Sequence, residues 1–147
     1  MILLGGAVML TAGSACGDPA VRAEGASVPL RIHGSTLRAH VVDTPESREH
    51  GLMGVTQLEP DEGMIFVYPD EAPRYYWMKD TPTALSIAFL DARGAVVSVS
   101  DMKPFDTSLT PSAKPAMYAI EANVGWFVTH AVVPGDTFVG LPAPARR

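Results

Sequence analysis

The stretch Trp77-Met78-Lys79-Asp80-Thr81-Pro82 brings an indole, a thioether, an ammonium, a carboxylate and a hydroxyl together just before a turn-forming proline. Read as the end of a strand over 74–78, alternation puts Tyr75, Trp77 and Lys79 on one side and Tyr76 with Met78 on the other. An aromatic floor with a cation at its rim suits a small anionic or sugar-like ligand, with Met78 and Thr81 as further binding residues. The competing reading is equally physical: Trp77 packs in the core, and Lys79 runs its apolar stem along the surface and carries its charge into water.

A second chemically informative group is Glu121, which ends Met117-Tyr118-Ala119-Ile120-Glu121 and shares a strand face with Ala119 and Met117. A carboxyl on an apolar face is costly unless paired. Desolvation there would raise its pKa and an adjacent Lys79 would lower it again, the tension used by general acid and base sites. Fraying at Glu121, or capping of the amides of Asn123-Val124-Gly125, is the structural alternative. Asp106, in the proline-rich stretch 101–115, offers oxygens to a ligand or a proton to a reaction, or else closes an Asx-type turn. Asp43 reads as helix-entry chemistry, with Arg48 as a surface partner.

Two function classes follow. In the first, Trp77, Met78, Lys79, Thr81, Asp106 and Glu121 form a non-catalytic cleft for a small molecule, a glycan or an envelope protein. In the second, a hydrolase or lyase, Glu121 or Asp106 moves a proton and Lys79 stabilises developing negative charge. No metal site or cofactor is expected. His33, His40, His50 and His130 have no paired ligand spacing, and neither a phosphate loop, a dinucleotide fingerprint nor a Gly-x-Ser-x-Gly elbow occurs. Met53, Met64, Met78, Met102 and Met117 raise a copper(I) reading, against which their wide spacing favours flexible core filler.

The elements that must hold these groups come from a chain of 147 residues, 47% hydrophobic and 18% charged, which suits one globular domain. A formal charge of −5 makes nucleic acid an unexpected partner. Residues 1–16 are uncharged and apolar, of signal-peptide length and too short to span a bilayer. The sequence Gly13-Ser14-Ala15-Cys16 fits cleavage before the cysteine and lipidation at Cys16, so the expected location is exported, periplasmic or lipid-anchored, with membrane contact only through that anchor. A soluble periplasmic protein is the alternative. Residues 17–27 read as a flexible tether and 28–147 as the domain.

Strands are expected at 28–33, 36–42, 64–68, 74–78, 85–90, 95–100, 117–122 and 137–141, with a hairpin turn at Gly34-Ser35. Thr44-Pro45-Glu46 opens a helix that Gly51 ends, and Asn123 would cap a second one from about 125 to 130. The expected fold is mainly β, a single compact antiparallel sandwich or small barrel, jelly-roll-like, with one or two short helices.

The blocks Asp43-Thr44-Pro45-Glu46 with Arg48 and Gly51-Leu52-Met53-Gly54, then Asp61-Glu62-Gly63-Met64 with Phe66, then Trp77-Met78-Lys79-Asp80-Thr81, resemble the DUF192 family (UPF0127). Met102-Lys103-Pro104, Asp106-Thr107 and the late Glu121 with Gly125-Trp126 continue the match in order over roughly residues 28 to 140. The resemblance implies a compact, mainly β domain, often secreted, of uncharacterised role. One departure is Asp80, where the family more often has Asn; a carboxylate there could pair with Lys79.

Overall fold

The computed structural model describes residues 25–147; residues 1–24, including Cys16 and the leader, lie outside the described residues. Strands β1 (Ser27–Ile32) and β2 (Ser35–Val42) form a hairpin. Its turn is His33-Gly34, both at positive φ, 48° and 78°, the backbone twist that two-residue hairpin turns require. Helix α1 (Pro45–His50) starts because the Thr44 hydroxyl accepts the Ser47 amide and Pro45 occupies the first turn, where its missing N–H costs nothing. It ends at Gly51.

The chain then crosses the sheet and enters β3 (Glu62–Ala72) parallel to β2, with Arg38 opposite Glu62 and Val42 opposite Phe66. The remaining strands are β4 (Tyr75–Tyr76), β5 (Leu85–Leu90), β6 (Val96–Met102), β7 (Thr110–Pro111) and β8 (Ala116–Asn123), followed by α2 (Trp126–Thr129). One six-stranded sheet has the order β1-β2-β3-β8-β5-β6, and β4 pairs with β7 in a small second sheet.

Both faces of the large sheet are dry, which explains why Leu85-Ser86-Ile87-Ala88-Phe89-Leu90 shows no polar alternation and is buried throughout. One face carries Leu30, Leu37, Ile65, Ala88 and Ile120, capped by Trp126 and Phe127 of α2 and by Phe138. The other carries Met64, Phe66, Ile87 and Phe89, covered by Leu52, Val55 and Leu58 from the β2–β3 crossover and by Tyr76 and Met78. Met64, Met78 and Met102 are core residues of this second face.

The fold is mainly β with two short helices, as expected. In detail the sheet is mixed, with the β2–β3 joint parallel, and it does not close into a barrel. The strand expected at 137–141 reduces to two isolated bridges, Arg31 with Val139 and Ala95 with Thr137. The strand expected at 74–78 is ordered as strand only at Tyr75–Tyr76. Asn123 does not cap α2: Gly125, in the left-handed region at φ 83°, precedes the helix, and the Asn123 amide donates instead to the Glu59 carbonyl at 2.8 Å. No helix among the described residues is long and apolar enough to cross a membrane.

Candidate functional site

Strand β8 places Glu121 between Met64 of β3 and Ile87 of β5, its side chain on the apolar face shared with Ala119. The β3 backbone runs so close to β8 that a Cβ on Gly63 would collide with the Glu121 carbonyl oxygen, so only glycine fits. Above this floor the C-terminal part of α1 with residues 51–53 forms one wall, and residues 75–81 form the other. Gly51, at φ 48°, lets the first wall lie against the Phe66 ring, 3.3 Å from where a Cβ would stand, a backbone conformation that suits glycine. Between the walls is a cavity of about 330 Å³ lined by Arg48, Met53, Tyr68, Trp77, Lys79, Thr81 and Glu121 among others.

Glu121 is 4% exposed, and among the described residues no side-chain hydrogen bond or ion pair reaches its carboxyl. Burial alone therefore decides its titration and pushes its pKa up to about 8. Trp77 and Tyr75 stand at the mouth, 47% and 63% exposed, so the indole is not a core residue. The Lys79 ammonium lies 5.6 Å from the Trp77 ring centroid, within cation–π range.

Deeper in, Tyr76 and Tyr68 share a hydrogen bond at 2.9 Å between their hydroxyls. Burial, then the neighbouring Tyr68 and Glu121, raise the Tyr76 phenol well above its ordinary value, which keeps it a neutral donor or acceptor. Tyr68 is flanked by two guanidinium groups, Arg48 at 4.7 Å and Arg74 at 3.7 Å from its ring centroid. Arg74 is paired with Asp70 at 3.0 Å, whereas Arg48 commits one nitrogen to the backbone carbonyls of Asp43 and Val67, at 2.7 and 2.9 Å. Neither Arg48 nor Lys79 has a carboxylate within ion-pair distance among the described residues.

The structure thus brings Trp77, Lys79, Thr81 and Glu121 to one cavity. Thr81 is buried, and its hydroxyl donates to the Lys79 carbonyl at 3.0 Å, tightening the turn that presents the ammonium. Met78 lies in the core beneath, 2% exposed, and does not line the cavity. Asp106 also lies outside it. Its carboxylate accepts the Ser108 hydroxyl at 2.6 Å and the Ser108 amide at 2.9 Å, bonds that hold it below its ordinary pKa, while its carbonyl accepts the Met78 amide at 2.7 Å. Asp106 closes an Asx turn that props up the Trp77 segment. Asp80 makes no ion pair with Lys79; it occupies the left-handed region at φ 53°, and its carbonyl accepts the Gly54 amide, tying the two walls together. Asn and Asp tolerate that backbone region better than other residues with a side chain.

Sequence reasoning missed the α1 wall. Arg48 reads as a surface partner of Asp43 until the path from β2 to β3 is known to bring α1 beside the cavity, where the guanidinium reaches the Val67 carbonyl. It also missed a second polar cluster. His40 Nε2 and Glu62 Oε1 are 2.7 Å apart, both residues buried, and the other Glu62 oxygen accepts the Glu59 amide at 2.9 Å. Burial pushes Glu62 upward, but the Glu59 amide, His40 and Arg38 outweigh it and hold the carboxyl below its ordinary value. The alternation His40-Val41-Val42 gave no cue to this pair. Among the described residues no group of three or more His, Cys, Asp or Glu side chains is placed to hold a metal ion.

No curated protein matches the sequence. Two solved structures are similar. One, from Sinorhizobium meliloti 1021 and described as a candidate transcription regulator, is 29% identical, with 82% of this chain and 98% of that chain covered and a TM-score of 0.76. The other, a protein of unknown function from Novosphingobium aromaticivorans, is 30% identical, with 76% and 84% covered and a TM-score of 0.70. The family model DUF192, described as an uncharacterized ACR, matches residues 28–140, and the chain belongs to that family.

Proposed function

We propose that this protein is an exported, cell-envelope module that binds a small molecule in the cavity between α1 and the Trp77 segment. The observation that carries this reading is the convergence, in one hollow, of an exposed indole, two cations without carboxylate partners and a buried carboxyl without a hydrogen bond. Such groups are costly or idle in an empty cavity and become useful against a ligand. Export rests on the apolar leader 1–16, and anchoring on acylation of Cys16. The formal charge of −5 argues against carrying over the regulator description of the Sinorhizobium protein.

The test is a thermal-shift screen of metabolite and cell-wall fragment mixtures. A specific ligand at about 100 times its Kd stabilises by about 2.7 kcal/mol, which raises Tm by roughly 5 °C or more for a domain of this size. The shift should disappear in Trp77→Ala and Lys79→Met. No shift with any fraction, or a shift that both variants retain, counts against the cavity. Mass spectrometry of the mature chain checks the anchor, an unmodified N-terminus excluding it.

A second reading, a hydrolase or lyase, draws on the buried Glu121: a carboxyl protonated at neutral pH in an accessible cavity can give and retake a proton, with Lys79 beside developing negative charge. Turnover that is lost in Glu121→Gln at unchanged Tm would favour it over the binding module.

A further inference from the structure

The same cavity restricts the chemistry of what it can hold, and this inference rests on the binding reading above. The titratable and charged groups around Glu121 are Arg48, Glu49 and His50 from α1, Tyr68 from β3, Tyr75 and Tyr76 from β4, and Lys79 from the segment that follows. Its cross-strand neighbours Met64 and Ile87 bring none. Two cations, one exposed acid, Glu49, and one exposed histidine, His50, therefore line the cavity around a floor carboxyl with which, among the described residues, none of them makes an ion pair.

Three ligand types can be compared against that arrangement. A cation would have to enter past Arg48 and Lys79 and would bind by ionising Glu121. A neutral sugar would take hydrogen bonds from the floor but leave both cations unanswered. An anion answers the cations and accepts a hydrogen bond from Glu121 in its neutral form, provided the carboxyl keeps its proton. The volume, at the small end for ligand pockets, and the flat faces of Trp77 and Tyr75 at the mouth suit a compact body with a planar or ring portion.

We infer that the cavity takes a small organic acid as its carboxylate, with Arg48 and Lys79 supplying the positive charge and Glu121 entering the complex protonated and donating a hydrogen bond to the ligand. Binding is then coupled to the proton on Glu121. Where the free protein has lost that proton, the ligand can bind only as a proton returns from solvent, so affinity falls as pH rises through the titration of Glu121.

Benzoate is the probe, with benzamide as the uncharged and benzylammonium as the cationic comparison. Binding is followed by the NMR signal of the Trp77 indole and by calorimetry in two buffers of different ionisation enthalpy. With Glu121 titrating at about 8, the competent fraction drops from nearly all at pH 7 to about one part in eleven at pH 9, so benzoate should bind about tenfold more weakly at pH 9. It should take up roughly 0.9 proton per ligand there. Glu121→Gln, which keeps a donor without a titrating proton, should bind benzoate with no such step. The proton count needs only the natural protein, so the test survives a variant that fails to fold.

Preference for benzylammonium, benzoate binding that is flat between pH 7 and 9, or a step that persists in Glu121→Gln would overturn the inference and leave the cavity reading standing. Failure of benzoate to move the Trp77 signal at either pH would also overturn the inference, whereas the cavity reading falls only if the metabolite and fragment screen gives no shift.

Discussion

Replacing Glu121 with Gln should change how the stability of the domain depends on pH, and the size of that change can be worked from the site. The carboxyl loses its proton near 4.5 in the unfolded chain and at about 8 in the folded one, because burial disfavours the charged form. Between those values the native state holds more protons than the unfolded state, so stability falls as pH rises. The contribution is intact below about 4.5, erodes through the window and is fully lost above about 8. At about 1.36 kcal/mol per pKa unit the whole span is worth about 5 kcal/mol, and about 3 to 4 kcal/mol of it falls between pH 5 and pH 8. With an m-value of about 2 kcal/mol/M, the urea midpoint of the natural protein should drop by roughly 2 M across that interval, while the midpoint of Glu121→Gln lacks this loss. Subtracting the two curves removes every other titrating group. Parallel curves from pH 5 to pH 8 would mean that the carboxyl is solvated or paired in the native state, and the expectation would fail.

Three further outcomes are expected. Gly63→Ala should cost about 3 kcal/mol in chemical denaturation, because the added carbon meets the Glu121 carbonyl and the two central strands have to separate. Glu62→Ala should cost about 3 kcal/mol by removing the partner of His40 and of the Glu59 amide. Because the Glu62 pKa is held below 4.5, the pair's contribution is present above that pH and fades as acid is added, which a urea series from pH 3 to 6 would detect. Trp77→Ala should leave stability within about 0.5 kcal/mol of the natural protein, as exposed substitutions usually do. It should also remove the acrylamide-quenchable part of the fluorescence, since the other tryptophan, Trp126, is 4% exposed.

The strands were legible where a turn chemistry bounded them: Leu85–Leu90 lies where apolar density and the Asp91–Gly94 turn place it, and α1 starts where Thr44 and Pro45 say. The 137–141 segment misled because its alternation is real, yet it meets the sheet edges only at single bridges. The parallel joint left no local trace, since pairing partners remote in sequence do not alter the pattern within either strand. For the same reason Trp77, Lys79, Thr81 and Glu121 could be named from residue type and alternation, whereas Arg48 and Tyr68 could not. Asp106 draws notice for its oxygens, one of which already accepts both the amide and the hydroxyl of Ser108 in a local turn.

Because β2 and β3 run in the same direction, the chain must travel back along the full length of one strand before beginning the next, a trip that hairpin neighbours never make. That return path is the stretch bearing Arg48 and Met53. The roof over Glu121 is thus made of polypeptide that the wiring of the sheet obliges to exist but whose outward side chains the pleat does not dictate. The charge and shape of the cavity wall can change there by substitution while strand register stays fixed, so two relatives could share every strand and yet present different cavities.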